Sequence, residues 1–416
     1  MIKKILLPVF ILFSLASMAQ QGTSSPYSYY GIGDVKFKGT AENRAMGGLT
    51  IFTDSIHLNF QNPAALAGMK FTSFSIGGTY LTTQLKTDSK KENARRTAMD
   101  YLAVGIPIGK FGASFGLIPY SSVGYNIQSV STDVPQVAKR YSGTGGVNKS
   151  FVGLGYQVSP KLRIGADFSY DFGKIETSNL RIVEGVEYGT KEANVSDISG
   201  VTFNLGAMFT TKLNKKIELF SSLLYAPESK LKSTNSRNIS TIQYAASGAE
   251  YTIEENVVDV ENTTLIIPSK LSFGLGLGEK NKWMVGSEIT FQESEKMTNR
   301  FVDINNIEFE NATRFNIGGY YIPNFKSFTN YLSKVTYRGG IRFENTGMVV
   351  NQKSIKESAI TFGFGLPVSG TFSNINIGFE LGKKGTTAAG LVQENFTNIT
   401  VGFTFNDKWF IKKLYY

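Results

Sequence analysis

The sequence predicts an all-β chain: a fourteen-stranded antiparallel transmembrane β-barrel with an N-terminal plug, or hatch, in its lumen. Three observations carry that expectation. Segments of about ten residues alternate apolar with small or polar side chains from Phe71 to Phe405, a two-residue period that gives each strand one greasy and one wet face. The chain holds 31 Phe, 20 Tyr and 43 Gly among 416 residues, a heavy aromatic and glycine load for a soluble domain. Short and long connections alternate, as they do when a single-chain barrel puts tight turns at one rim and loops at the other.

Taken in order, the chain opens on a basic Met1-Ile2-Lys3-Lys4, an apolar run from Ile5 to Ala16 and the small-residue end Ser17-Met18-Ala19. This reads as a signal peptide over residues 1–19; the apolar run is shorter than the roughly twenty residues of a spanning helix. Residues 20–70 show no strand alternation, yet Leu49, Ile51, Phe52, Ile56, Leu58 and Phe60 give them too much apolar surface for a disordered linker. Residues 71–405 supply fourteen strands, near 71–86, 99–108, 111–127, 149–158, 161–176, 196–212, 216–226, 269–278, 282–293, 312–322, 334–345, 358–367, 373–382 and 396–405. Long polar loops are expected at 87–98, 128–148, 177–195, 227–268, 294–311, 346–357 and 383–395, with room for a further strand pair in 227–268. A basic and aromatic tail, 406–416, closes the chain at the periplasmic rim.

Face assignments follow from the period. Leu162, Ile164, Ala166, Phe168, Tyr170 and Phe172 share one face and Arg163, Gly165, Asp167, Ser169 and Asp171 the other. Ile360, Phe362, Phe364 and Leu366, and again Ile399, Val401, Phe403 and Phe405, point outward. Gly274, Gly276, Gly286, Gly340 and Gly378 fall on inward positions and are read as leaving lumen space. Arg338, Arg342 and Glu344 also point inward, as a charged ladder bracing the wall or as a polar conduit.

Composition limits the chemistry. The formal charge of +10 falls to +8 once Lys3 and Lys4 leave with the signal peptide, and such a basic surface attracts anionic lipid headgroups. Dispersed lysines on an exported chain argue against nucleic acid. There is no cysteine, so no disulfide, thiolate metal site or lipoprotein acylation site is available. His57 is the one histidine and lies in the hatch region, which leaves no histidine in the barrel for a catalytic constellation. Phosphate-binding and calcium-binding loops are missing from the sequence. The chain reads as a non-enzyme without cofactor or metal, and His57 as a hydrogen-bonded hatch residue.

Ahead of the first strand stand Arg44-Ala45-Met46-Gly47-Gly48 and then Asp54-Ser55-Ile56-His57-Leu58-Asn59-Phe60-Gln61-Asn62-Pro63-Ala64-Ala65-Leu66. A glycine and small-residue cluster, an acidic-small pair and an Asn-Pro-Ala triplet just before strand one resemble the FadL family of outer-membrane transporters of hydrophobic compounds, including its PorV-type members that serve protein secretion in Bacteroidota. The resemblance covers the hatch motifs closely and the barrel by strand count. It implies a hatch built on Gly47, Gly48, Asp54, Ser55, Asn59, Asn62, Pro63 and Ala64, with Asp54, Ser55 and Asn59 bonding to inward-facing strand residues and Asn62, Pro63 and Ala64 anchoring the hatch against the wall.

In the third strand Gly116, Pro119, Tyr120 and Ser121 interrupt the alternation. Proline has no amide to give a neighbouring strand, so a kink or bulge is expected beside Pro119; the family resemblance implies that such a kink opens the wall sideways. The function implied is an outer-membrane channel for long-chain fatty acids or other hydrophobic small molecules, with lateral release among outer-membrane lipids. The alternative is a non-transporting barrel subunit of an outer-membrane protein secretion or envelope-assembly complex. A transporter predicts an apolar pocket beside the hatch; a subunit predicts a filled lumen and an exposed apolar patch for partner proteins.

Overall fold

In the computed structural model the described residues are 22–409, apart from 53, 246 and 305. The expected signal peptide and residues 410–416 of the expected tail lie outside them.

Alternation folds the chain into one closed antiparallel ring of fourteen wall strands. In chain order these are β1 (Thr72–Lys86), β2 (Lys91–Ile108), β3 (Phe111–Pro119, resuming at Ser121–Val130), β4 (Val137–Gln157), β5 (Leu162–Val183), β6 (Gly189–Lys212) and β7 (Ile217–Ala226, resuming at Ser229–Tyr244). The circuit continues with β8 (Glu250–Val258, Thr263–Ile267 and Lys270–Glu279), β9 (Trp283–Gln292), β10 (Ile307–Phe309 and Ala312–Tyr321), β11 (Thr336–Val350), β12 (Lys353–Pro367), β13 (Asn374–Lys384) and β14 (Gln393–Asp407). Each strand pairs with its neighbours in sequence, and β14 returns to β1 through the register Thr72↔Asp407 to Lys86↔Gln393. Closure leaves no strand edge at the seam, which is how an all-antiparallel sheet satisfies its terminal ladders.

The two faces separate as the period dictates. Ile164, Phe168, Tyr170, Phe203, Leu205, Phe273, Leu275, Ile360, Phe362, Phe403 and Phe405 are exposed on the outside, while Asp167, Ser169, Asp171, Ser272, Thr361, Thr400 and Thr404 are buried inside. No helix among the described residues is long and apolar enough to cross a membrane, so the outward apolar belt is carried by strands.

The expected long loops are mostly strand. β4, β5 and β6 run for 21, 22 and 24 residues, and β7 and β8 carry the chain through 229–258 as a further hairpin. These extensions rise above the belt, where the outward face turns polar, as at Lys230, Lys232, Thr234 and Ser236 on β7, and no apolar outer face exists to set a visible period. At about 3.3 Å per residue, they stand well clear of β9, which has 10 residues.

The inward glycines do not leave the ring open. A Cβ at Gly274 would lie 2.1 Å from Ile51 Cγ2, one at Gly286 2.2 Å from Ile51 Cδ1, and one at Gly340 2.4 Å from the Met46 carbonyl carbon. The wall is pared back so that residues 22–70 can lie against it. Replacing Gly340 by Val, itself a good strand former, should dislodge Met46 and Gly47 without opening the barrel. Limited proteolysis should then cut within residues 22–70 while the folded gel mobility of the barrel is kept; an unchanged digestion pattern would show that this close approach does not hold the segment.

Candidate functional site

Residues 22–70 build the site, and local chemistry sets their path. A helical turn at Ala41–Arg44 is stopped by Gly47 and Gly48, at φ +72° and +89°, a left-handed backbone that glycine adopts without penalty. The reversal lets the Gly47 amide donate to Thr361 Oγ1 of β12 at 2.9 Å. Farther on, Asn59 accepts from the amides of Gln61 and Asn62 and donates to the Thr50 carbonyl. Asn62 then caps the short 3-10 helix Pro63–Gly68, its Oδ1 accepting from the Ala64 amide at 3.1 Å. Pro63 at the first helical position gives up an amide that has no partner there anyway.

The Asn-Pro-Ala triplet does meet the wall. Asn62 Nδ2 donates to the Leu223 carbonyl of β7 at 3.3 Å, Ala64 is fully buried, and a Cβ at Gly206 or Gly165 would collide with Asn62 or Pro63. Asp54, Ser55 and Asn59 behave differently from the expectation. Asp54 accepts from the Ile56 and His57 amides, the Ser55 carbonyl accepts from the Lys70 amide, and Asn59 bonds within the segment. Their short polar arms reach the tight turns they start before they reach a strand.

The wall is instead gripped by charge. Arg44 donates to Thr79 Oγ1 of β1 and to Glu380 of β13, both at 2.9 Å, and lies 3.5 Å from Asp100 of β2. Arg342 of β11 bonds Glu380 and also Glu357 of β12, the latter at 2.7 Å. Lys38 bonds Glu357 and stands 4.0 Å from Glu344, which is equally far from Arg342. Nearer the start of the segment, Lys384 donates to Asp34 at 2.7 Å and Ser25 bonds Glu394. Burial alone would raise the Asp34 carboxyl; Lys384, with Lys36 and Lys38 behind it, holds it well below its usual range. Arg342 and Glu344 thus share one network, whereas Arg338 stands apart, donating to Asn376 Oδ1 at 2.8 Å. Removing one member of such a buried group strands its partners at a cost of about 3–5 kcal/mol.

His57 and Asp54 form a second, smaller lock, with Nδ1 2.6 Å from Oδ2. Burial pushes the Asp54 carboxyl up, but the His57 charge, its ring N–H and two backbone amides bring it down to about 2. Burial works against a charged His57 ring; the Asp54 carboxylate outweighs it, with Glu42 adding, and raises the ring above 6.5.

The third strand breaks where the sequence placed the interruption. β3 stops at Pro119 and resumes at Ser121. Up to Leu117 it pairs with β2 on one side and with β4 on the other. Beyond the break it keeps β4 only, so β3 no longer pairs with β2 from Lys91 to Tyr101. The breach is occupied by the N-terminal segment. Asp34–Val35 pair with Ser122 and Ser121, the Lys36 amide donates to the Tyr120 carbonyl at 2.9 Å, Ser121 Oγ donates to the Ile32 carbonyl, and the Gly22 amide donates to Ser122 Oγ. Gly116, within the paired part, has no room for a side chain, since a Cβ there would lie 2.4 Å from the Leu102 carbonyl oxygen.

Two cavities border the segment. One of about 60 Å³ is walled by Arg44, Asp100, Glu357, Glu380, Lys384 and Glu394. The other, about 220 Å³, mixes Phe37, Phe60 and Tyr120 with Lys149, Lys270 and Arg314. Sites for drug-sized apolar ligands are commonly about 300–1,000 Å³ with apolar linings; these two are smaller and charged.

Gly47, Asn59, Asn62, Pro63 and Pro119 stand in recognisable motifs, whereas Asp34, Lys38, Asp100, Glu357, Glu380, Lys384 and Glu394 do not. A charge on the inward face of a strand was the available signal, and it was followed only for Arg338, Arg342 and Glu344.

Solved structures of toluene transporters and of a FadL homologue share this fold. The P. putida toluene transporter TodX superposes with a TM-score of 0.62 at 16% identity, over 90% of this chain and 100% of that one. The Ralstonia pickettii toluene transporter TbuX gives 0.60 at 13% identity, over 88% and 98%. A Pseudomonas aeruginosa FadL homologue gives 0.59 at 12% identity, over 90% and 99%. At these identities the likeness is one of fold. No curated protein matches the chain. A family model described as BamG matches residues 1–416.

His57, as the one histidine in the chain, reports on its lock directly. Its ring resonance should titrate with a midpoint above 6.5, and Asp54→Asn should bring that midpoint down. The pair's contribution to stability is complete below the unfolded histidine value and is lost as pH rises through the folded one. On the acid side it is lost as Asp54 protonates near 2. Equal midpoints for the two proteins would remove Asp54 as the cause.

Proposed function

The chain belongs to the BamG family, and from that premise we propose that it is an outer-membrane barrel, plugged by its own N-terminal segment, that serves as a non-transporting subunit of an outer-membrane protein secretion or envelope-assembly complex. On this reading residues 1–19 are its signal peptide, 20–70 its plug, 71–405 the membrane-spanning barrel and 406–416 a periplasmic tail. The observation that supports it is how firmly the segment is tied to the wall. The Arg44–Glu380–Arg342–Glu357–Lys38 network joins it to β11, β12 and β13, and Gly22 and Asp34–Val35 bond to the part of β3 beyond Pro119. A greasy solute would meet a mixed interior, since the larger cavity sets Lys149, Lys270 and Arg314 beside Phe37, Phe60 and Tyr120.

A subunit also needs an outward contact. The segment between β10 and β11, on the short-turn and hence periplasmic rim, exposes Phe325, Phe328, Tyr331 and Leu332, with Phe328 96% exposed and capped only by Lys334. Single exposed apolar residues are ordinary, but a cluster of four in one loop supports a protein contact. Affinity isolation of the full chain from outer membranes should retain partner proteins in fixed stoichiometry. Phe328→Asp combined with Tyr331→Asp should release them while the barrel stays folded. Isolation of a lone barrel carrying bound lipid would reverse the assignment.

The break in β3 favours a second reading, uptake of long-chain fatty acids or other hydrophobic compounds with lateral release, in which residues 22–37 act as a movable stopper. The chain has no native cysteine, which makes a cross-link clean. A Cβ at Gly22 would lie 3.9 Å from that of Ala98 on β2, within disulfide range. Oxidised Gly22→Cys/Ala98→Cys protein should lose hydrophobic uptake, and regain it on reduction, if that route operates. Uptake that is absent in both states, or present in both, counts against it.

A further inference from the structure

The registers of β12, β13, β14, β1 and β2 align their outward side chains in rows. One row reads Phe362–Phe379–Ile399–Tyr80–Thr97, and below it runs Phe364–Ile377–Val401–Gly78–Met99. Above the apolar rows the character changes within two steps. Ile360–Leu381–Thr397–Thr82 ends on Arg95, Ser358 is followed by Lys383–Asn395–Gln84–Asn93, and Gln393 leads to Lys86 and Lys91. Arg95, Lys91 and Lys383 are exposed and Lys86 is half-buried.

Sign is sorted by face on these strands. Glu357, Glu380, Glu394 and Asp100 are buried inside, whereas the outward rows named above contain no acidic residue. Asp88 in the hairpin turn and Glu310, which accepts from Asn345 beyond Lys356, mark the ends of the patch. Among the described residues none of Lys86, Lys91, Arg95 and Lys383 makes an ion pair. Lys86 and Lys91 even stand directly opposite each other across the ladder, an arrangement that is unfavourable without an intervening anion.

We infer that this collar binds phosphate-bearing lipid headgroups of the outer leaflet. The assignment rests on the outer-membrane reading above. The occupant follows from amphipathic complementarity: acyl chains fit the apolar rows up to Tyr80 and Ile360, and phosphates fit the cations one or two steps higher. Lys and Arg stems lie along apolar surface while their heads reach into the polar layer, and each basic residue near an anionic surface contributes on the order of 1 kcal/mol. A free phosphate ion would gain the charges but none of the apolar rows.

The test uses the full chain in phosphatidylcholine nanodiscs titrated with diphosphoryl lipid A and with the same lipid enzymatically dephosphorylated. The wild-type barrel should favour the phosphorylated form by about tenfold or more, and the Lys86→Gln/Lys91→Gln/Arg95→Gln/Lys383→Gln variant should lose that preference while keeping folded gel mobility. A variant that discriminates like wild type overturns the collar. So does a wild-type barrel that inserts normally yet shows no preference, which leaves the membrane reading standing. Failure to insert into any bilayer overturns both. Full displacement of the lipid by excess inorganic phosphate would reduce the collar to a simple ion site and overturn the lipid assignment.

Discussion

A closed ring of strands has an inside, and a charge that points there is costly unless something else inside answers it. That constraint governs this molecule. Asp100, Glu357, Glu380 and Glu394 are set inward by strand period, and water cannot serve them fully where they are buried. Arg342 answers two of them from the wall, and Arg44, Lys38 and Ser25 answer from the N-terminal segment. Neither the wall nor the segment has a satisfied interior without the other. The segment's position is therefore specified by electrostatics, in addition to the shape match with inward glycines. Buried pairs of this kind add little net stability against an apolar core; what they supply here is a unique placement.

Shape and charge divide the work along the segment. At Met46–Gly47 and at Pro63–Ala64 backbone lies against backbone where Gly340, Gly318 and Gly165 have no side chain, and at Gly206 and Gly274 the bare wall admits the side chains of Asn62 and Ile51. The stretch from Ser25 to Arg44 crosses a roomier region and is held by long charged arms. The break at Pro119 belongs to this second region. It frees the hydrogen-bonding groups of Ser121 and Ser122, and the strand Asp34–Val35 takes them up.

Much of the fold was legible in the sequence because a half-wet strand must alternate. All fourteen wall strands fall where the period put them, and Pro119 falls where the period fails. The upper parts of β4 to β8 were less legible, with only a strand pair allowed for in 227–268, since a strand whose outer face turns polar leaves little apolar period. The Asn-Pro-Ala triplet announced a capped turn because its chemistry is local: Asn62 bonds two residues ahead. The charged network escaped notice for the opposite reason. Arg44 and Glu380 are separated by 336 residues, and no local rule links them. The glycines were placed on the correct face but given the wrong purpose, because an absent side chain looks the same whether the space is empty or taken.

The same separation in sequence bears on how the molecule comes to be. The N-terminal segment bonds to β3 beside Ser122 and ends at Lys70, just before β1 begins, so it precedes the first wall strand entirely. Its ties to the last strands, Asp34 to Lys384 and Ser25 to Glu394, span 350 and 369 residues. Contacts of such reach are late and slow to form. The seam between β1 and β14 joins the first and last wall strands, so it can pair only once the last strand exists. Segment docking is thus bound up with the last strands: until Lys384 and Glu394 are in place, Asp34 and Ser25 lack these partners.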